Sequence, residues 1–159
     1  MPKESQPQSR SAVVGQLGEN LVSQWLQQQG WSIVARGWTS RWGELDIVAR
    51  KQGDRDDCLA FVEVKTRSGG NWDEGGLVAI TRSKQTKLWK TAQLFLAQHP
   101  SWAEMPCRFD VALVNARSKP QGDTVSIDPN PIVLGQPVVW EGYVLTLHTY
   151  LESAFEMMS

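Results

Sequence analysis

Two cysteines and two histidines in 159 residues leave little material for soft-metal chemistry. Cys58 and Cys107 are far apart in sequence and belong to no CxxC or Cys/His pattern. They read as buried or half-buried thiols, not as a disulfide or a zinc site. With only His99 and His148 to add, any metal centre must be built from carboxylates. Oxygen ligands favour a hard cation, Mg2+ or Mn2+. No apolar run approaches the roughly 20 residues that cross a bilayer, and the opening MPKESQPQSRS lacks the apolar stretch of a secretory signal. The expectation is a cytoplasmic protein with no membrane association.

Excess charge of either sign is also missing: the net charge is −1. That average hides an asymmetry. From Arg36 to Lys90 eleven Lys/Arg stand against eight Asp/Glu, whereas from Thr91 to Ser159 three stand against seven. A central basic excess suits a polyanionic partner, and a bound cation would offset some of the acids there. What the chain does have is tryptophan, eight in all. Most belong to the core or its margin, while Trp42, Trp72 and Trp89 are candidates to meet a base or sugar.

Length suits one domain with a real core. Residues 1–10 are polar and read as a disordered tail, leaving 11–159 as a single domain. Val14, Leu17, Leu21, Val22, Trp25 and Leu26 recur at helical spacing from Ser11 to Gln29, and Gly30 supplies a C-terminal cap. Trp31–Arg36, Gly43–Arg50 and Cys58–Thr66 read as three strands, the last two joined by the charged turn KQGDRDD. SGGNWDEGG reads as a mobile loop. A second helix follows over about Thr81–Gln98, closed by Pro100, and then a strand at Arg108–Asn115. Ala116–Pro137 is a weakly structured excursion with one strand-like stretch, Val125–Ile127. Val138–Leu147 reads as a last strand bent at Gly142, followed by a short helix through Phe155.

Two of these strands carry charge where apolar residues belong. Glu63 and Lys65 are one residue apart in FVEVK, so alternation puts both on one face. Asp46 sits between Leu45 and Ile47, with Glu44 at the same parity. Ionised groups in interior strands cost free energy unless paired or metal-bound. A hairpin can set Asp46 beside Glu63, and two carboxylates can then hold a divalent cation, with the Val64 carbonyl completing its shell. Lys65 would orient the attacking water or offset charge at phosphorus. Metal-assisted phosphodiester hydrolysis is the chemistry this pattern suggests. An isolated ExK is more often a solvated pair; the acid in the neighbouring strand shifts the balance.

GELDIVAR, FVEVKTR, a helix opening with Lys84-Gln85, and RFDVALV, in that order, resemble the YraN-type family of small bacterial proteins. That family is classed with predicted endonucleases of the restriction-endonuclease-like, PD-(D/E)xK group. The order is also similar to archaeal Holliday-junction resolvases. The resemblance implies an α/β fold with an αβββαβ core, a central mixed sheet flanked by helices, and here a C-terminal strand–helix addition. It implies Asp46 and Glu63 as metal-binding acids, Lys65 as catalytic lysine, and Glu19 as the acid on helix one. Glu19 borders the buried stripe of that helix, which suits such a role. Lys84 and Arg67 are the candidate phosphate contacts. Asp110 reads as an arginine partner rather than a catalytic group. The expected activity is Mg2+- or Mn2+-dependent cleavage of DNA, with a homodimer suggested by the resolvase likeness. A second reading keeps the fold as a nucleic-acid-binding module with little turnover, and a third makes it an interaction protein.

Overall fold

The computed structural model describes residues 9–53, 57–68, 80–120 and 131–156. The tail before Ser9, most of SGGNWDEGG with Trp72, and Val125–Ile127 lie outside the described residues.

Helix α1 (Arg10–Gln28) starts where the Ser9 side chain accepts the Ala12 N–H. It ends at Gly30, whose φ of 93° suits a residue without Cβ. There the Gly30 N–H donates to Gln27 O and the Trp31 N–H to Leu26 O, so the last carbonyls are satisfied as the chain reverses. Strands β1 (Ser32–Ser40), β2 (Gly43–Lys51) and β3 (Cys58–Arg67) form an antiparallel meander. Helix α2 (Arg82–Ala97), capped by Thr81, carries the chain across to β4 (Cys107–Ser118), which lies parallel to β3. Strands β5 (Pro137–Trp140) and β6 (Tyr143–Phe155) complete a mixed six-stranded sheet of order β1-β2-β3-β4-β6-β5. This α/β architecture agrees with a restriction-endonuclease-like core.

The helices take opposite faces. Leu17, Leu21, Val22 and Leu26 of α1 pack with Ile47, Ala49, Ala60, Val62 and Ala112. Leu88, Ala92 and Phe95 of α2 pack with Val48, Leu59, Phe61 and Phe109. Alternating strand residues feed the two layers, as period-two geometry requires. Among the described residues no helix is long and apolar enough to cross a membrane.

The C-terminal expectation needs correction. Val138–Leu147 is not one bent strand but a hairpin that turns at Glu141-Gly142, where φ is 50° and 82°. Two left-handed residues between antiparallel strands match the twist of the flanking ribbon. Beyond the turn, β6 continues as strand through Phe155 and no terminal helix forms. A helix there would leave one edge of β4 without partners, and β6 instead pairs with β4 from Ser118↔Tyr143 to Phe109↔Phe155. Strand β4 itself runs to Ser118, shortening the expected excursion at its start.

Candidate functional site

Pairing between β2 and β3 is regular from Lys51↔Cys58 to Ile47↔Val62 and then stops. At that point alternation in β2 also slips: Leu45 and Val48 both join the α2-side cluster although they stand an odd number of positions apart. Asp46 lies inside the slip. Its Oδ2 accepts the Val64 N–H at 2.9 Å, replacing the ladder bond that β2 no longer supplies. Strand β3 stays in the sheet beyond that point, because β4 pairs with it through Arg67↔Asn115. The parting of β2 from a fixed β3 opens the site.

Glu19 arrives from α1. A Cβ at Gly18 would lie 2.2 Å from Thr66 Oγ1, so only glycine lets the helix settle this closely on β3. Carboxylate oxygens of Glu19, Glu44 and Asp46 all fall within 4.8 Å of one another. Glu63 sits between Asp46, with which it shares a side-chain hydrogen bond, and two lysines: its Oε1 is 3.4 Å from Lys65 Nζ and 2.6 Å from Lys84 Nζ. Glu63 is buried, and both lysines are partly covered. Arg36 of β1 closes the far side, 3.8 Å from Glu19 Oε2 and donating to Asn20 Oδ1 at 2.6 Å.

The electrostatics follow from crowding acids in a half-dry space. Burial, then the Glu63 charge, pushes Asp46 up to about 8, against the opposing pull of the Val64 N–H. Burial likewise raises Glu19, with Arg36 acting against it. Burial and the neighbouring Lys84 lower Lys65. Burial also works to lower Lys84, but its hydrogen bonds to Glu63 and Lys65 and the Glu63 and Asp46 charges leave it raised. Carboxylates gathered this closely, with Glu19 and Asp46 both raised, are a donor set suited to a small divalent cation, whose charge would relieve their repulsion. Glu19, Glu44 and Asp46 are the residues placed to hold it.

Of the residues singled out in the sequence, the fold brings Asp46, Glu63, Lys65, Glu19 and Lys84 together. Arg67 stands exposed at the last position of β3. Glu44 and Arg36 escaped that reading. Glu44 had only its parity with Asp46 as a signal, and Arg36 had none. Asp110 is fully buried away from this cluster and accepts from Tyr150 OH at 2.6 Å, the Ser153 N–H at 2.9 Å and Arg108 Nε at 3.2 Å. It ties β6 to a bulge in the β4–β6 ladder.

Residues 18–114 match a known family, and close relatives extend the match to almost the whole chain. The chain belongs to uncharacterised protein family UPF0102. The YraN-type resemblance drawn from the motif order fits this family. A UPF0102 protein of Acaryochloris marina is 48% identical over 99% of this chain and 100% of its own length. One from Synechocystis is 47% identical over 89% of this chain and 97% of its own. Another, from Thermosynechococcus vestitus, is 54% identical over 64% of this chain and 79% of its own. The UPF0102 match spans every residue of the cluster, from Glu19 on α1 to Lys84 on α2.

Proposed function

We propose that this UPF0102 protein is a divalent-metal-dependent endonuclease that hydrolyses phosphodiester bonds in DNA. The observation that carries the reading is the meeting of Glu19, Glu44 and Asp46 within 4.8 Å, beside a Glu63 held by Lys65 and Lys84. Bound to the three acids, Mg2+ or Mn2+ would supply a Lewis acid for a phosphate oxygen and would acidify a water. Lys65, its ammonium lowered by burial and by Lys84, is suited to orient the attacking water and exchange a proton with it. Lys84 keeps its charge and pairs with Glu63, so a phosphate entering the cleft meets a fixed cation. Asp46 does two jobs, holding the Val64 backbone and facing the acids.

Support for a second reading comes from Glu63, whose carboxylate is already engaged by Lys65 and Lys84 as well as by Asp46. A binding module with little turnover would have that arrangement permanently. The two readings separate in a cleavage panel of linear, single-stranded, flapped and four-way DNA with Mg2+ or Mn2+, run on the parent and on Glu63→Ala. Metal-dependent cutting by the parent alone supports the enzyme. Salt-sensitive binding with no cutting under either metal supports the module.

A further inference from the structure

Next to the acid cluster, a hollow of about 310 Å³ opens between the β1–β2 turn and α2. Its walls include Trp42, Glu44, Ser83, Lys84, Lys87 and Leu88. Glu44 also belongs to the acid cluster, and Lys84 to the Glu63 pair. The hollow is therefore continuous with the proposed catalytic centre.

Trp42 is one of few large apolar side chains left exposed among the described residues. Cations gather over it: Lys90 Nζ lies 4.0 Å from a ring centroid of its indole, and the Arg41 guanidinium carbon 5.1 Å. Ammonium and guanidinium groups are drawn to an indole face, yet here they crowd in one another's company, with Lys84 and Lys87 on the same wall. Lys84 is matched by Glu63, and Glu44 adds an acid. Arg41, Lys87 and Lys90 still leave positive charge around the aromatic plate, which suits a ligand both flat and anionic. Leu88 provides an apolar wall, and the volume matches one nucleoside better than a base pair.

We propose that this hollow is a subsite for one unpaired nucleotide adjoining the phosphodiester to be cut, its base on Trp42 and its phosphate among Lys84, Lys87 and Lys90. The inference rests on the nuclease reading of the neighbouring acids and adds a substrate class to it. A strand must be single, or splayed from its complement, to place a base there. Stacking on indole accepts any base, so the subsite selects for unpaired structure and not for sequence.

The test is equilibrium binding, followed by fluorescence anisotropy in Ca2+, of one labelled oligonucleotide offered single-stranded, as a flap and as a blunt duplex. The full chain is compared with its Trp42→Ala and Trp42→Phe variants, each checked for folding by circular dichroism. The parent is expected to prefer the single strand and the flap over the duplex by about tenfold or more. Trp42→Ala should lower single-strand affinity by roughly five- to a hundredfold and bring the preference close to one, with Trp42→Phe between the two. Lys87→Ala should reduce the salt dependence of single-strand binding by about 0.7 in the log–log slope. An unchanged preference in Trp42→Ala overturns the subsite, as does a parent that binds duplex as well as single strand or binds neither. The two proposals fail separately. Trp42-dependent binding without any cleavage in Mg2+ or Mn2+ removes the nuclease and keeps the subsite, while cleavage that ignores Trp42 does the reverse.

Discussion

Asp46 Oδ2 accepts the backbone N–H of Val64 at 2.9 Å, at the point where the pairing of β2 with β3 gives out. One carboxylate thus closes a gap in the sheet and faces two other acids. Its proton affinity links stability to pH. In the unfolded chain Asp46 titrates near 3.8, and in the folded chain near 8, because burial and Glu63 disfavour its charge. The folded state therefore binds the extra proton between those values, and the stability this adds is full below about 4 and lost as pH rises through 8. Thermal unfolding without divalent metal should show a melting temperature that falls across this window. Asp46→Asn keeps an oxygen for Val64 and should flatten the fall. A melting temperature that rises from pH 5 to 8 in the parent, and equally in Asp46→Asn, contradicts this.

Divalent metal should reverse the loss. At pH 8, Mg2+ or Mn2+ at about a hundred times its dissociation constant stabilises a single site by roughly 2.7 kcal/mol. For a chain of this size that raises the melting temperature by about 5–10 °C. Glu44→Gln and Asp46→Asn should each remove most of the rise, which a thermal-shift titration reads directly. A full rise in both variants would place the metal elsewhere.

The approach of α1 to β3 offers a packing test. Gly18→Ala drives a Cβ to 2.2 Å from Thr66 Oγ1, which is itself buried without a hydrogen-bond partner. Overpacking of this kind costs about 1–3 kcal/mol. Thr66→Ala removes the obstructing atom, so the double variant should recover much of the loss. A denaturant cycle measures the coupling; additive effects of the two changes would show that the helix does not rest on Thr66.

Asp110 should matter for stability alone. Asp110→Ala strips Tyr150 OH, the Ser153 N–H and Arg108 of their shared acceptor. The expected cost is about 3–5 kcal/mol, seen as a melting temperature lower by roughly 10 °C. Metal binding should persist in the folded fraction. Loss of metal binding at full stability would instead assign Asp110 to the site.

These contrasts explain what was legible in the sequence. Asp46, Glu63 and Lys65 stand out because charge interrupts apolar alternation, and the cost of burying charge makes such interruptions informative. Lys84 is visible as a cation opening α2, but its pairing with Glu63 depends on where the crossover from β3 to β4 lays that helix. Arg36 meets Glu19 only through the packing of β1 against α1, which no local pattern encodes. Cys58 and Cys107, remote in sequence, come to neighbouring strands, both free, with burial pushing each thiol up. LHTYLESAF carries too little periodicity to choose helix or strand by itself. The open edge of β4 and the Glu141-Gly142 turn decide for strand, so the terminal helix expected from the sequence does not form.

The acids and lysines around the β2–β3 parting are proposed to cut phosphodiester bonds. Single-turnover cleavage of a flapped or single-stranded DNA in Mg2+ tests this most directly, comparing the parent with separately purified Asp46→Ala, Glu63→Ala and Lys65→Ala proteins that melt cooperatively. The parent should cut in a reaction that EDTA abolishes, and every variant should lose about a hundredfold or more. Equal rates in the parent and the three variants would contradict it.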